Sequence, residues 1–522
     1  MLPIYLILCV AVIYCLYRLA TLKYNYWKKR NVPHPPPTPV LGNYGPYLLM
    51  QKYYGQVAQE ICQKYPNAPY IGAYYGTEPT LIVQDPELIK IITTKDFYYF
   101  NSREISEHTH KEVTTQNLFF TYGDQWKAVR QKMTPLFSSA KMRNMFPLIA
   151  KCSVSFQEHV DQETSSSDVI DVKSLMARYT MACIVSCAFG AEVDTLTPEG
   201  KDSQFVKIGK LIFLNSYLRG GLTVFRAIWP TLFYKLGLKN FPDEMTNFFK
   251  RFVTNVFEAR KYTPTRRNDF VDLLLNLRQQ KSIVADSLSN GKTGREDKVE
   301  LPVTDDLLVS QCVLFFAAGF ETSSTATSFL LYELSKKPEI QERVLQEVDA
   351  FLAKHDNKLT YDCVTELPYT QACIDESLRL HPPLGVITRE VMEEYTLPDG
   401  LVLEKGVRIH LPVYGLHYNP DHFPDPEEFR PERFEGSNRN NIKSHTYIPF
   451  GDGSRICIGL RFAKMQMLAG LISLLKKYRV EMTKDTPTKL DYDPRALVTI
   501  PLQSVNLKLV PREGWEKRIF VQ

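Results

Sequence analysis

The stretch Pro449–Gly459 reads PFGDGSRICIG. It sets one thiol, Cys457, among glycines at 451, 453 and 459, with Arg455 two residues before it. Taken alone, Cys457 reads as a small buried hydrophobe beside a glycine turn. Its neighbours open another reading. The sequence that follows, IGLRFAKMQMLAGLISLLKKY, has helical spacing. The thiol therefore stands at a helix N-terminus, where free amides and the positive dipole end favour thiolate. Arg455 adds positive charge or reaches an anionic cofactor group. Gly453 and Gly459 allow the backbone to approach something flat. A thiolate with no second ligand nearby fits one axial position of an iron held otherwise by a macrocycle.

A second group of residues sits in AGFETS, Ala318–Ser323. Gly319, Glu321 and Thr322 are odd choices for the middle of an apolar helix. Glycine lowers helix stability and a buried carboxylate is costly unless paired. Rule-breaking inside a buried element points to function. ESLR places Glu376 and Arg379 three apart on one helix face, the spacing of an ordinary surface ion pair. Trp126 and Arg130, in GDQWKAVRQKM, are four apart, which by themselves describe a half-buried aromatic beside a solvated cation.

These residues need a frame to hold them. Thr304, Asp305 and Asp306 carry the oxygens that suit a helix start, and Pro338 forbids continuation. The helix between them spans about 32 residues, or roughly 48 Å, and is apolar nearly all round, so it is expected to cross the whole molecule in its interior. Helical periodicity also marks 339–354 and 371–380. Strand-like runs occur near 70–83, 402–411 and 505–510. Residues 281–300, polar and rich in Ser, Gly and charge, read as a surface loop. The fold class is mainly α with a smaller β region.

The chain has 522 residues, 44% hydrophobic and 23% charged, with a net charge of +5. That is ample for a large core and too weakly basic for a nucleic-acid binder. None of the 10 cysteines falls in C-x-x-C, which excludes zinc ribbons, iron–sulfur clusters and covalent haem attachment by that motif. Cys183 and Cys187 share a helix face and read as core packing. Their scatter suits a reducing compartment. Residues 2–17 carry no charge, and with Arg18 snorkelling the apolar run to Leu22 reaches the length of a bilayer span. Lys23, Lys28, Lys29 and Arg30 follow, which leaves the remainder cytosolic. A cleaved signal peptide would have a basic start and a small-residue cleavage site, and neither is clear. Tyr24, Tyr26 and Trp27 suit the membrane interface. PHPPPTP, 33–39, reads as a stiff spacer. The expected organisation is an anchor at 1–22, a basic and proline-rich hinge at 23–42, and a cytosolic catalytic domain at 43–522.

Phe450, Gly453, Arg455, Cys457 and Gly459 together match the F-x-x-G-x-R-x-C-x-G signature, and the chain resembles the cytochrome P-450 family from anchor to C-terminal strands. Details such as YWKKR, FFAAGFETSS and PFGDGSRICIGLRFAKMQM are similar to insect microsomal members. The resemblance implies a haem b cofactor with Cys457 as iron ligand. It implies propionate contacts from Trp126, Arg130, Arg389 and Arg455, and a buried network of Glu376, Arg379 and Arg433, the last from FRPERF. It also implies room for dioxygen at Gly319, a hydrogen bond from Thr322 to the oxygen ligand on iron, and proton supply through Glu321. Pocket candidates by the same resemblance are Phe119, Phe120, Phe315, Phe316, Ala318, Leu384, Val386, Ile387, Leu497 and Val498, each with plain core packing as its rival. The implied activity is monooxygenation of lipophilic molecules, chiefly xenobiotics such as plant toxins or insecticides, at the endoplasmic reticulum. The implied partners are O₂ and NADPH–cytochrome P-450 reductase, with cytochrome b5 as a further donor. Lys127, Lys132, Arg461 and Lys464 are candidates for the reductase face. A peroxide isomerase and a non-enzymatic haem sensor or carrier remain as alternatives, both disfavoured by Glu321-Thr322.

Overall fold

Thr304 starts the longest helix as its side chain suggests. Its hydroxyl oxygen accepts the Leu307 N–H at 3.1 Å, and the helix runs Asp305–Lys336 until Pro338. In the computed structural model, which describes residues 2–191, 195–197, 200, 203–213, 216–267 and 269–520, this central helix packs most closely on the helix Val172–Ile184. The central helix and the continuous helical stretch Val172–Phe189 are long and apolar enough to cross a membrane, yet both are mostly buried in the protein, as core helices are. The helices Pro338–Lys354, Pro368–Leu380 and Leu460–Leu475 complete the framework around it.

The main sheet has the order β1 (Tyr70–Tyr75), β2 (Glu78–Val83), β9 (Arg408–Leu411), β6 (Ile387–Glu390). The first pair is a hairpin, β2 and β9 run parallel, and β9 and β6 run antiparallel. A smaller sheet joins β10 (Tyr478–Met482), β11 (Asn506–Pro511) and β3 (Val169–Asp171), and β7 (Tyr395–Thr396) pairs with β8 (Val402–Leu403). The protein is thus mainly α with small sheets, as expected.

Two segments differ from their sequence reading. Residues 281–300 form an antiparallel hairpin, β4 (Ser282–Asp286) with β5 (Lys298–Pro302), not a loop. Ile283 and Ala285 are buried and Val284 points outward, so the hairpin turns one face to the helix Gly123–Met133. The hinge is docked and is no free spacer. Trp27 is fully buried, its Nε1 donates to Ala73 O at 2.8 Å, and Pro33 O accepts the Gly72 N–H. A Cβ at Gly72 would lie 2.5 Å from Trp27 Cγ. Trp27 therefore belongs to the sheet's core and cannot serve as a membrane-interface anchor. The helix Leu2–Thr21 precedes this docked segment and keeps Ile4, Ile7, Val12 and Leu19 exposed.

Candidate haem-thiolate site

The Cys457 loop is set by close backbone contact. Gly453 has φ +63°, and a Cβ there would stand 1.9 Å from Thr93 O. Only glycine tolerates both the left-handed conformation and that approach. Asp452 fixes the turn by accepting the Gly453 N–H at 2.8 Å and lying 3.3 Å from Thr93 Oγ1. Gly453→Ala is expected to lose on the order of 3 kcal/mol, from backbone strain and overpacking together. Thermal unfolding and haem content of the purified protein check this.

Cys457 N–H donates to Phe450 O at 2.8 Å, and the helix Leu460–Leu475 begins after Gly459 as expected. Burial pushes the Cys457 thiol up, outweighing the Gly459 amide and the Arg130 and Arg103 charges that pull it down. Its surface is nonetheless accessible. A thiol that is both enclosed and accessible faces an internal cleft. A Cβ at Gly459 would come to 4.0 Å of its sulfur, so this glycine keeps space beside it.

The central helix shows the same signature. Phe315, Phe316, Phe320 and Glu321 are buried and Ala317 and Gly319 half-buried, while along one line Leu314 is half-buried, Ala318 exposed and Thr322 half-buried. These positions, i, i+4 and i+8, form one stripe on the cleft side. Thr322 Oγ1 donates to Ala318 O at 2.8 Å, leaving its lone pairs free to accept. Glu321 points elsewhere. Its carboxylate pairs with Lys173 Nζ at 2.8 Å, and the same ammonium lies 3.3 Å from Ser324 Oγ. Gly319 has a packing reason of its own: a Cβ there would meet Ile184 at 2.6 Å, on the helix behind.

Four arginines gather beside the cleft. Arg103, Arg130, Arg389 and Arg455 form no ion pair among the described residues. Burial first, then mutual repulsion, holds Arg103 down to about 9 and Arg455 well below the usual guanidinium range. Burial holds Arg389 down to about 10 and lowers Arg130. Arg389 Nε is buried without a partner, and Trp126 Nε1 makes no hydrogen bond among the described residues. Arg455 is committed elsewhere: Nε donates to Asn101 O at 2.6 Å, Nη1 to Phe119 O at 3.3 Å, and its guanidinium lies 4.7 Å over the Trp126 ring. Arg103 donates to the same Phe119 O at 2.6 Å. Sequence reasoning missed Arg103, which no spacing singles out. Leu314 was within reach, being one turn before Ala318.

The buried network assembles in full. Arg379 grips Glu376 with two bonds of 2.8 Å, both side chains being wholly buried. Arg433 Nε stands 3.4 Å from Glu376 Oε1, close enough to pair but not aligned as a hydrogen bond. Arg379 also donates to the carbonyls of His417 and Pro426 at 2.8 Å. His417 extends the support to the thiol loop. Its Nε2 accepts the Ile448 N–H and its Nδ1–H donates to Arg379 O, both at 3.0 Å. Burial, then the Arg379 charge, pushes His417 down to about 3. The unfolded chain takes up this proton below about 6.5 and the folded one does not, so stability is lost as pH falls below that value. The loss at pH 5 is about 2 kcal/mol, 1.5 units at 1.36 kcal/mol each. Urea unfolding at pH 7.5 and 5 checks it, and His417→Gln should show a drop smaller by that amount.

Not every candidate reaches the cleft. Phe315 stacks on Phe137 at 5.5 Å and meets Phe270 at 4.5 Å, and Phe316 is fully buried among Phe205, Phe249 and Phe320. Both are core. Val386 packs under the main sheet with Tyr44 and Ile71, and Ile387 is buried, close to Gly451. Val498 is buried too, Phe119, Phe120 and Leu384 are half-buried, and Leu497 is exposed. Two cations of the expected reductase face are already used. Lys127 Nζ donates to Ser287 O of the hairpin at 2.8 Å, and Lys464 pairs with buried Asp375 at 2.8 Å. Lys132 forms no ion pair among the described residues, and Arg461 is exposed.

A family model for cytochrome P450 matches residues 32–508. The chain is 35% identical to cytochrome P450 6B7 of Helicoverpa armigera over 499 residues, 95% of this chain and 96% of the relative. It is 34% identical to cytochrome P450 6k1 of Blattella germanica over 97% of this chain and 96% of that one. It is 36% identical to cytochrome P450 6B4 of Papilio glaucus over 95% and 97%. The chain belongs to the cytochrome P450 family. This P450 is a monooxygenase of the insect xenobiotic-metabolising type, and its family uses a haem-thiolate cofactor. The residues fit that group. Guanidinium and indole donors with hydrogen-bonding capacity left beside a cleft suit two carboxylates, a glycine keeps space at the sulfur, and among the described residues the thiol stands in no cluster of competing ligands.

Proposed function

We propose that this P450 is a membrane-anchored haem b monooxygenase of the endoplasmic reticulum acting on lipophilic xenobiotics such as plant toxins or insecticides, with electrons from NADPH through NADPH–cytochrome P450 reductase and, as a further donor, cytochrome b5. The carrying observation is the accessible stripe Leu314–Ala318–Thr322, flanked by half-buried Ala317 and Gly319 on a helix whose other face is buried, together with one accessible, enclosed thiol. Bound haem supplies the activation of O₂ and the transfer of one oxygen atom to a C–H or C=C bond.

The chain's own residues do the rest. Cys457 Sγ holds the iron and gives up its proton on binding it. Arg103, Arg130, Arg389 and Trp126 bind the propionates and offset the repulsion among the guanidiniums. Ala318 keeps the distal side small, and Thr322 Oγ1 accepts a hydrogen bond while donating to Ala318 O. Glu321 faces Lys173, so proton delivery by this carboxylate requires it to leave that partner. Phe119, Phe120 and Leu384 offer an apolar wall that excludes water and suits lipophilic substrates.

Membrane attachment draws support from two exposed apolar regions. One is the helix Leu2–Thr21, the anchor. The other is Tyr217, Leu218, Trp229, Leu232 and Leu236, on and beside the helices Tyr217–Ile228 and Pro230–Lys235. They are linked: Tyr24 OH, just after the anchor, donates to Gly76 O, and Gly76 lies against Ile228. Residues 23–42 then form a docked connector and 43–522 the catalytic body. Lys132 and Arg461, which form no ion pair among the described residues, suit an acidic reductase. The test is NADPH- and reductase-dependent O₂ uptake by the purified holoenzyme with lipophilic compounds, products carrying one added oxygen atom. Consumption of organic peroxide without NADPH would instead revive an isomerase.

A further inference from the structure

Glu112 lies between the short helical turns Ser106–Lys111 and Val113–Thr115, with its side chain 5% exposed. A carboxylate so buried is costly unless donors surround it. Its donors come from a different part of the chain. Tyr234 OH donates to Oε1 at 2.8 Å, while the Asn240 and Phe241 amides donate to Oε2 at 3.1 and 3.0 Å. Arg226 Nε stands 3.9 Å away and donates to Tyr234 OH at 2.6 Å. One side chain thus gathers the end of the helix Tyr217–Ile228, the helix Pro230–Lys235 and the connection to the helix Asp243–Ala259.

The two sides of this knot differ in how they are held. The Glu112 segment continues to Leu118, whose N–H donates to Gln311 Oε1 of the central helix at 3.0 Å, and to Phe119, whose carbonyl takes Arg103 and Arg455. It is fastened to the site. The opposite segment, 217–241, is anchored at Ala227 and Ile228, which pack on the main sheet with Arg408 donating to Ala227 O, and turns Tyr217, Leu218, Trp229 and Leu232 outward. Where they meet, the Phe120 and Phe241 rings stand edge-on at 6.3 Å, and the Phe241 amide is one that Glu112 holds. His108 adds only a stack on Tyr234 at 5.4 Å and a 3.4 Å contact to Thr231 Oγ1.

We infer that Glu112 is a positioning residue for substrate admission: its carboxylate closes the 229–241 end of the segment onto the Phe119–Phe120 wall, and release of this knot, with the Ala227–Ile228 anchor on the sheet kept, opens the way for bulky lipophilic molecules. This rests on the haem monooxygenase reading above.

The test uses holoenzyme and two iron-binding imidazoles of different size, 4-phenylimidazole and clotrimazole, followed by stopped-flow absorbance of the haem. Glu112→Ala is expected to raise both association and dissociation rates of clotrimazole by about tenfold, the low end of what hydrogen bonds to a charged group are worth, with little change for 4-phenylimidazole. Tyr234→Phe, which leaves the two amide bonds in place, should shift the same rates in the same direction by less. The thiolate-type carbon-monoxide spectrum should be intact in both. Unchanged clotrimazole rates in either haem-loaded variant would overturn the inference, and so would equal acceleration of both imidazoles, which marks general loosening. If Glu112→Ala fails to hold haem, Tyr234→Phe decides. Failure of the monooxygenase reading shows separately, as wild-type protein that forms no NADPH-dependent product.

Discussion

Cys457→Ser is expected to fold, to retain haem in part, and to lose monooxygenation by more than about a hundredfold, the upper range for losing even an outer-shell partner of a metal ligand. Serine is nearly the shape of cysteine. The bond from residue 457 N–H to Phe450 O and the space kept by Gly459 survive the change, so unfolding temperature should move little. The arginines beside the cleft still attract a dianionic cofactor. What disappears is electron donation from sulfur, which favours O–O cleavage. The carbon-monoxide complex should lose its red-shifted Soret band, and NADPH-dependent product should vanish with it. A Cys457→Ser protein that keeps both would end the ligand assignment.

Glu376→Ala is expected to lose about 3–5 kcal/mol, because it strands a fully buried guanidinium. Total stability of a domain is about 5–15 kcal/mol, so little holoprotein should accumulate. Buried ion pairs can often be exchanged for apolar residues without loss. Here that rescue should fail. Arg379 also donates to the carbonyls of His417, Pro426 and Glu428, and Arg430 N–H donates to Glu376 at 2.9 Å. A Glu376→Leu, Arg379→Met double variant would leave those groups unsatisfied. Expression yield, haem content and thermal unfolding of the single and double variants measure this, and a double variant as stable as wild type would refute it.

Much of this chemistry is local, and local chemistry is legible in a sequence. Thr304 must cap because its oxygen sits beside free amides, Pro338 must end the helix, and Glu376 must reach Arg379 because one turn separates them. The thiol loop likewise declares itself through glycines and a following helix. The resemblance to the cytochrome P-450 family added the role of Cys457, which spacing alone left open.

Other assignments depended on which distant segment arrives beside a residue. The helical wheel shows that Glu321 and Thr322 diverge, but only the docking of the Val172–Ile184 helix gives Glu321 its Lys173 and Gly319 its Ile184. The same packing sends Phe315 to Phe137 and Phe270, out of the pocket. Trp27 looked like a membrane residue until the sheet covered it, and Lys127 looked free until the 282–302 hairpin took its ammonium. That hairpin alternates in period two, a signal its polar tip conceals. Sequence by itself determined the limits of the central helix, the glycine-rich thiol loop and the Glu376–Arg379 spacing, and its resemblance gave the family. Tertiary structure alone decided which cations stand around the cleft without an ion pair among the described residues, Arg103 among them, and how Glu112 joins two segments more than a hundred residues apart. The reason is physical: capping and i, i+3 pairing act within one turn, whereas burial and charge compensation are set by neighbours that only folding brings together.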